Sequence, residues 1–98
     1  MRQAAPAQRG GALVDHAVAP AQHALALREQ ILGPTHDEVA VALTTLGMIH
    51  STLIQLAQAK PLLERALEIR RSTLGANHPK VGESLTNLAG VLYAGGDF

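Results

Sequence analysis

The chain has no cysteine and no tryptophan, and only one tyrosine and one phenylalanine among its 98 residues. Without cysteine there is no disulfide framework, no thiolate metal site and no thiol nucleophile. With so few aromatic residues, a core has to be built from Leu, Ile, Val and Ala. Charge of one sign is not in excess either: eight basic residues face eight acidic ones. That balance gives no electrostatic footprint for nucleic acid or for an anionic membrane surface. No apolar run approaches the roughly 18–20 residues a membrane span needs. The expectation is a soluble helical chain without a nucleic-acid or membrane partner, placed in the cytoplasm.

The N-terminus carries Arg2 and Arg9 and no acid before Asp15. A secretory signal would need an unbroken apolar core of about 7–15 residues. Pro6, Gln8, Arg9 and Gly10-Gly11 interrupt any such core. A basic, acid-poor start is loosely like an organellar transit peptide, which keeps an organellar destination as the alternative. Residues 1–12 read as a flexible leader rich in Ala, Pro and Gly, and residues 13–98 as the structured part.

What is present is a repeat. Sliding the sequence by 42 residues places Ala24-Leu25 on Ala66-Leu67, Arg28 on Arg70 and Leu32-Gly33 on Leu74-Gly75. It also places His36 on His78, Val39 on Val81, Leu43-Thr44 on Leu85-Thr86, Leu46 on Leu88 and Ala17 on Ala59. These matches fall at apolar and turn positions, which is what a shared fold requires.

Each period contains two helices. Val39, Leu43, Leu46 and Ile49 recur at spacings of three and four, the mark of one helical face. Val81, Leu85, Leu88, Val91 and Leu92 copy that face, and Ala59, Leu62, Leu63, Ala66, Leu67, Ile69 and Leu74 make a second. The pattern predicts helices over about 15–32, 36–52, 56–74 and 78–94. Gly33 and Gly75 stand where helices end. Thr35 and Asn77 are the expected N-caps, with Glu38 completing a capping box and Pro79 in a first turn. No proline or glycine separates Gly47 from Lys60, so 37–60 could read as one helix ended by Pro61; the repeat argues for a turn near 52–55 instead.

A helical pair with small residues at fixed places resembles the tetratricopeptide pattern. Leu46-Gly47, Ala59 and Ala66 fit its Leu-Gly, first Ala and second Ala, and the next copy supplies Leu88-Ala89 and Gly96-Asp97-Phe98. The 42-residue period and the segment RALEIRRSTLGANHPKVGESLTNLAGVLY (65–93) resemble the kinesin light chain class of these repeats. The resemblance is specific over 56–98, looser over 24–52 and absent over 1–14. Asp37 replaces the class's loop proline, Thr44-Thr45 its Asn-Asn pair and His50-Ser51 its Leu-Tyr, and the glycine near 54 is missing. The fold implied is an all-α solenoid of antiparallel helix pairs. The chain would hold the second helix of one repeat (15–32), a full repeat (36–74) and the first helix of the next (78–94). Gly47, Ala59, Ala66 and Ala89 are then expected where helices cross closely. Three or more repeats are usually needed for independent stability, so a piece of a longer protein or a chain that borrows a partner is expected.

No residues assemble into a reaction centre on sequence grounds. His36 and His78 repeat in loops, and His16 and His23 are seven apart with no acidic partner organised around them, so no metal is expected. Ser51, Ser72 and Ser84 lack a nucleophile elbow. Asp37-Glu38 suits a helix start. Gly10-Gly11 and Gly95-Gly96 are too short for a phosphate cradle. Lys60, Glu64, Glu68 and Arg71 read as a solvated ladder. No enzyme activity and no cofactor are expected. The family resemblance implies instead that the first helix of each repeat lines a concave groove for a partner peptide or protein domain. The matching positions are Val41, Thr44, Thr45 and Met48, then Glu83, Thr86, Asn87 and Gly90, of which Thr44, Thr45, Met48, Thr86 and Asn87 are the groove candidates. A protein-interaction scaffold is the leading reading. The alternatives are self-association through exposed end helices, or an appendage of a larger signalling protein.

Overall fold

Apolar residues recurring every three or four positions give each helix one stripe to bury, and the stripes dictate which helices meet. A computed structural model describes residues 14–96. The leader expected at 1–12 lies outside the described residues. Helix α1 covers Ala19–Leu32 and is opened by a turn of π-helix, Val14–Val18. Helices α2 (Asp37–Thr52), α3 (Leu56–Leu74) and α4 (Pro79–Ala94) follow. No strand occurs among the described residues.

Each helix packs mainly on its neighbours in sequence. The contact between α2 and α3 is the most extensive, α2 also touches α4, and α1 and α4 do not meet. The result is an open row of helices, the start of a solenoid. One core lies under α1, α2 and α3, around Leu25, Val39, Leu43, Leu46, Ala66 and Ile69. A second joins α3 to α4 through Ala59, Leu63 and Val91. Burying a side chain such as Leu43 or Leu63 stabilises by about 1.5–3 kcal/mol, so these few leucines and valines outweigh the exposed ion pairs.

The small residues set how near the helices come. A Cβ placed on Gly47 would stand 2.7 Å from Cδ2 and 2.8 Å from Cγ of Leu63, closer than carbon atoms approach. The α2 backbone therefore passes directly over Leu63 of α3. Ala59 and Ala66 are fully buried in the same region. Ala89 departs from the expected pattern. It occupies the repeat position of Gly47 but is exposed, because no described helix crosses α4 on that side.

The helix starts differ from the capping-box expectation by one residue. His36 and His78, not Thr35 and Asn77, are the N-caps. The Glu38 backbone N–H donates to Nδ1 of His36 at 3.0 Å, and that of Lys80 to Nδ1 of His78 at 3.1 Å. An imidazole with an open Nδ1 reaches the amide two residues on, as a shorter capping side chain would. Thr35 and Asn77 are left exposed in the preceding turns.

Between α2 and α3 the chain turns at Leu53–Gln55, and 37–60 is two helices. The turn lacks glycine, yet Ile54 has φ of 58°, a left-handed conformation that a β-branched residue seldom adopts. Gly96, one repeat later, has φ of 71°. The Gln55 N–H donates to the His50 carbonyl at 2.8 Å, and His50 Nδ1 donates to Oε1 of Gln55 at 2.7 Å. These bonds fix the turn whatever residue stands at 54. Pro61 does not break a helix. It sits exposed in the second turn of α3, where its ring removes one backbone bond, to the Ala57 carbonyl.

Two stability tests follow from this packing. Ile54 is 77% exposed, so Ile54→Gly relieves the left-handed strain with little packing lost. The gain is about 1 kcal/mol, read as a raised denaturation midpoint; an unchanged or lowered midpoint would show that the turn holds no strain. Ala66→Leu overpacks a site with no free surface and should cost about 1–3 kcal/mol. A midpoint unaffected by that change contradicts the close crossing.

Candidate functional site

The groove candidates lie on α2 and α4, the first helices of successive repeats. Thr44, Thr45 and Met48 come together on α2 at spacings of one, three and four. With Ala17, Ile49, Thr52 and Leu53 they line an open trough of about 530 Å³ between the start of the first helical segment and the C-terminal half of α2. A smaller hollow of about 160 Å³ continues along α1 past Ala24, Arg28 and Val41 and shares Thr45 with the trough. The walls are mainly methyl, methylene and thioether groups. Thr86 and Asn87 stand one repeat further along, on α4, and are not part of the trough wall.

The threonines contribute less polarity than their type suggests. Thr44 Oγ1 donates to the Ala40 carbonyl at 2.8 Å, Thr45 Oγ1 to Val41 at 3.1 Å and Thr52 Oγ1 to Met48 at 2.9 Å. Thr86 does the same to Gly82 at 3.0 Å. Each hydroxyl gives its proton to its own helix, four residues back, and keeps only acceptor lone pairs for another molecule. Asn87 is different. It is half-buried, and its side-chain amide makes no hydrogen bond with the described residues. Met48 is 41% exposed and Val41 42%, large apolar side chains turned toward solvent. Glu83 and Gly90 are exposed.

The other sequence candidates have structural explanations. His36 and His78 are helix caps, and His16 and His23 are exposed on the first helical segment. Among the described residues, no group of three His, Asp or Glu side chains stands in reach of one metal ion. Asp37 and Glu38 occupy the first turn of α2, where carboxylates favour the helix dipole. Ser84 is buried and holds Arg70. No helix among the described residues is long and apolar enough to cross a membrane.

Two buried polar groups were not singled out by the sequence. Arg70 is 4% exposed. Its Nη1 donates to Ser84 Oγ at 2.7 Å and to the Lys80 carbonyl at 3.4 Å, clamping α3 to α4 through neutral oxygens. Its repeat equivalent Arg28 lies outside, 4.0 Å from Glu38. The signal was the serine: Ser84 replaces Ala42 in the repeat alignment and gives a buried guanidinium something to bond. The second group is His50, buried against Gln55, where the resemblance had led to a different side chain. On the opposite side, Arg65 pairs with Glu29 and donates to the Pro34 carbonyl at 3.1 Å, tying α3 to the end of α1.

The arrangement offers shape and apolar contact with a few acceptors, and among the described residues no acid, base and nucleophile converge on it. Residues 15–72 and 55–98 each match the sequence model of the tetratricopeptide repeat. No curated protein matches the chain.

Thr45 gives a direct check on the state of the hydroxyls. Its proton goes to its own helix, so Thr45→Val should shift stability by no more than about 0.5 kcal/mol. A larger loss in a urea titration would mean that the hydroxyl holds another element of the fold.

Proposed function

The chain belongs to the tetratricopeptide repeat family, and from that premise we propose that it is a protein–protein interaction scaffold whose α2 and α4 offer a groove to a segment of a partner. Repeats of this family typically act as non-enzymatic modules that bind protein partners. The observation that carries the reading is the open trough, in which Thr44, Thr45 and Met48 share one apolar wall. An open apolar concavity gives the side chains of a partner a place to be buried. Apolar side chains of the partner enter the trough, and the unpaired amide of Asn87 bonds a backbone group further along the groove. The 42-residue period and the 65–93 segment support the kinesin light chain-like class as the finer assignment.

Selection from a displayed peptide library on the immobilised chain tests this. The enriched peptides should carry spaced apolar residues and lose binding to Met48→Asp, which sets a charge in the trough wall. Asn87→Ala should weaken the same peptides by about two- to tenfold, from a hydrogen bond worth about 0.5–1.5 kcal/mol, with helicity unchanged. Peptides that bind both variants as well as the parent chain would place the interaction elsewhere and remove this reading.

A further inference from the structure

The stretch of sequence that leads into the trough wall keeps the register of the repeat. The first described segment, Val14–Val18, carries Ala17 of the wall, and residues 1–13 run directly into it. Advancing 1–14 by 42 residues places it on 43–56, which is the second half of α2, the turn and the first residue of α3. A further 42 places it on 85–98. Residue character persists through the three copies. Met1, Leu43 and Leu85 are apolar, as are Ala4, Leu46 and Leu88, and Val14, Leu56 and Phe98. Ala5, Gly47 and Ala89 are small, and Gly11 and Gly95 share one place in the turn. Composition alone reads 1–12 as a flexible leader; the register gives its residues a face.

Helix α2 defines that face. Leu43, Leu46 and Gly47 are buried, whereas Thr45 and Met48 are exposed. In the same register Met1, Ala4 and Ala5 share the inward side, and Gln3 and Pro6 the outward side. Gln8 takes the place of His50, whose side chain bonds across the turn. A proline on the outward side is no obstacle, since Pro61 sits exposed inside α3. The trough wall, advanced by one repeat, carries Ala17 to Ala59 and Ile49 to Val91, both buried. The second half of α2 passes beside Ala59 at Gly47.

We propose that residues 1–10 are the trough's own occupant. They lie on α1 and the trough in the register that the second half of α2 takes on α3, and a partner segment enters by displacing them. The proposal rests on the scaffold reading for the partner and adds the regulation of that site. It holds for whatever chain precedes residue 1, because the segment is tied to α1 through residues 11–13, as α2 is tied to α3 through Leu53–Gln55.

Side-chain size makes this contact close but weak. Within the chain, Gly47 is needed because Leu63 presses on it. In the shifted register Ala5 takes the glycine's place and Ala21 the leucine's, which leaves room for the added methyl group. Ala4 and Ala7 stand where α2 has Leu46 and Ile49, so the segment buries less apolar surface than α2 does. A partner with larger side chains in those places therefore competes for the trough. An occupant in equilibrium with the open trough lowers the apparent affinity for a partner by the fraction of chains that are open.

The lack of cysteine allows a disulfide test on the full chain. Gly47 stands against Leu63, so the register sets residue 5 against residue 21. In the chain with Ala5→Cys and Ala21→Cys, oxidation at low concentration should close an intrachain disulfide, which requires Cβ atoms about 3.5–4.5 Å apart. Mass spectrometry and non-reducing electrophoresis read it. Gln3→Cys with Ala21→Cys places one thiol on the outward side and should close far more slowly. The locked chain should bind the library peptides at least about tenfold more weakly than its reduced form. Circular dichroism checks that each variant keeps its helicity. Equal closure of the two pairs, as a segment with no fixed place would give, overturns the proposal, as does a locked chain that binds peptides like the reduced one. If the 5–21 pair does not close but peptides bind in a manner that Met48→Asp abolishes, the scaffold reading stands and the covering segment falls. If the pair closes and neither form captures peptides, the covering segment stands and the scaffold reading falls.

Discussion

The missing side chain at Gly47 sets the geometry of the row. Helix axes in contact lie about 8–10 Å apart according to the residues between them, and here the residue between is a hydrogen atom facing Leu63. Leu63 belongs to the second core as well, where it packs with Val91 of α4. One leucine therefore meets α2 on one side and α4 on the other. Any change that pushes α2 from α3 also shifts the support on which α4 rests. The buried alanines at 59 and 66 keep the rest of the crossing close, and the open row of helices follows from it.

Helix identity and approximate limits were legible in the sequence because each stripe repeats at helical spacing and then recurs one repeat later. The close crossings at Gly47, Ala59 and Ala66 were legible for the same reason. The cap residue was not. Preference scales favour Thr and Asn, but the imidazole Nδ1 of His36 and His78 reaches the same amides from one position further along. Ile54 was not legible as a left-handed residue either. Its conformation is imposed by the hydrogen bonds between His50 and Gln55, which no local propensity encodes. Ala89 is exposed for a non-local reason: burial depends on the neighbouring helix, and no described helix lies against α4 on that side.

The candidate site was legible in part. The repeat register brought Thr44, Thr45 and Met48 to one surface, and the structure joins them in one trough. The sequence did not show where the hydroxyls go: those of Thr44 and Thr45 turn back to the carbonyls four residues earlier. The surface thereby presents methyl groups and acceptor lone pairs, its hydroxyl protons being used within the helix.

The pairing of Gly47 with Leu63 also constrains how a gene built of such repeats can change. The two residues lie on different helices of one repeat, so their fit is a property of the pair. A duplication or recombination whose breakpoints fall between whole pairs carries both residues together and preserves the contact. A breakpoint in the loop between the helices can join an Ala89-type helix to a Leu63-type helix, setting a methyl group where Leu63 leaves no room. Side-chain volume therefore makes the helix pair, and not the single helix, the unit in which such an array can be lengthened or shuffled.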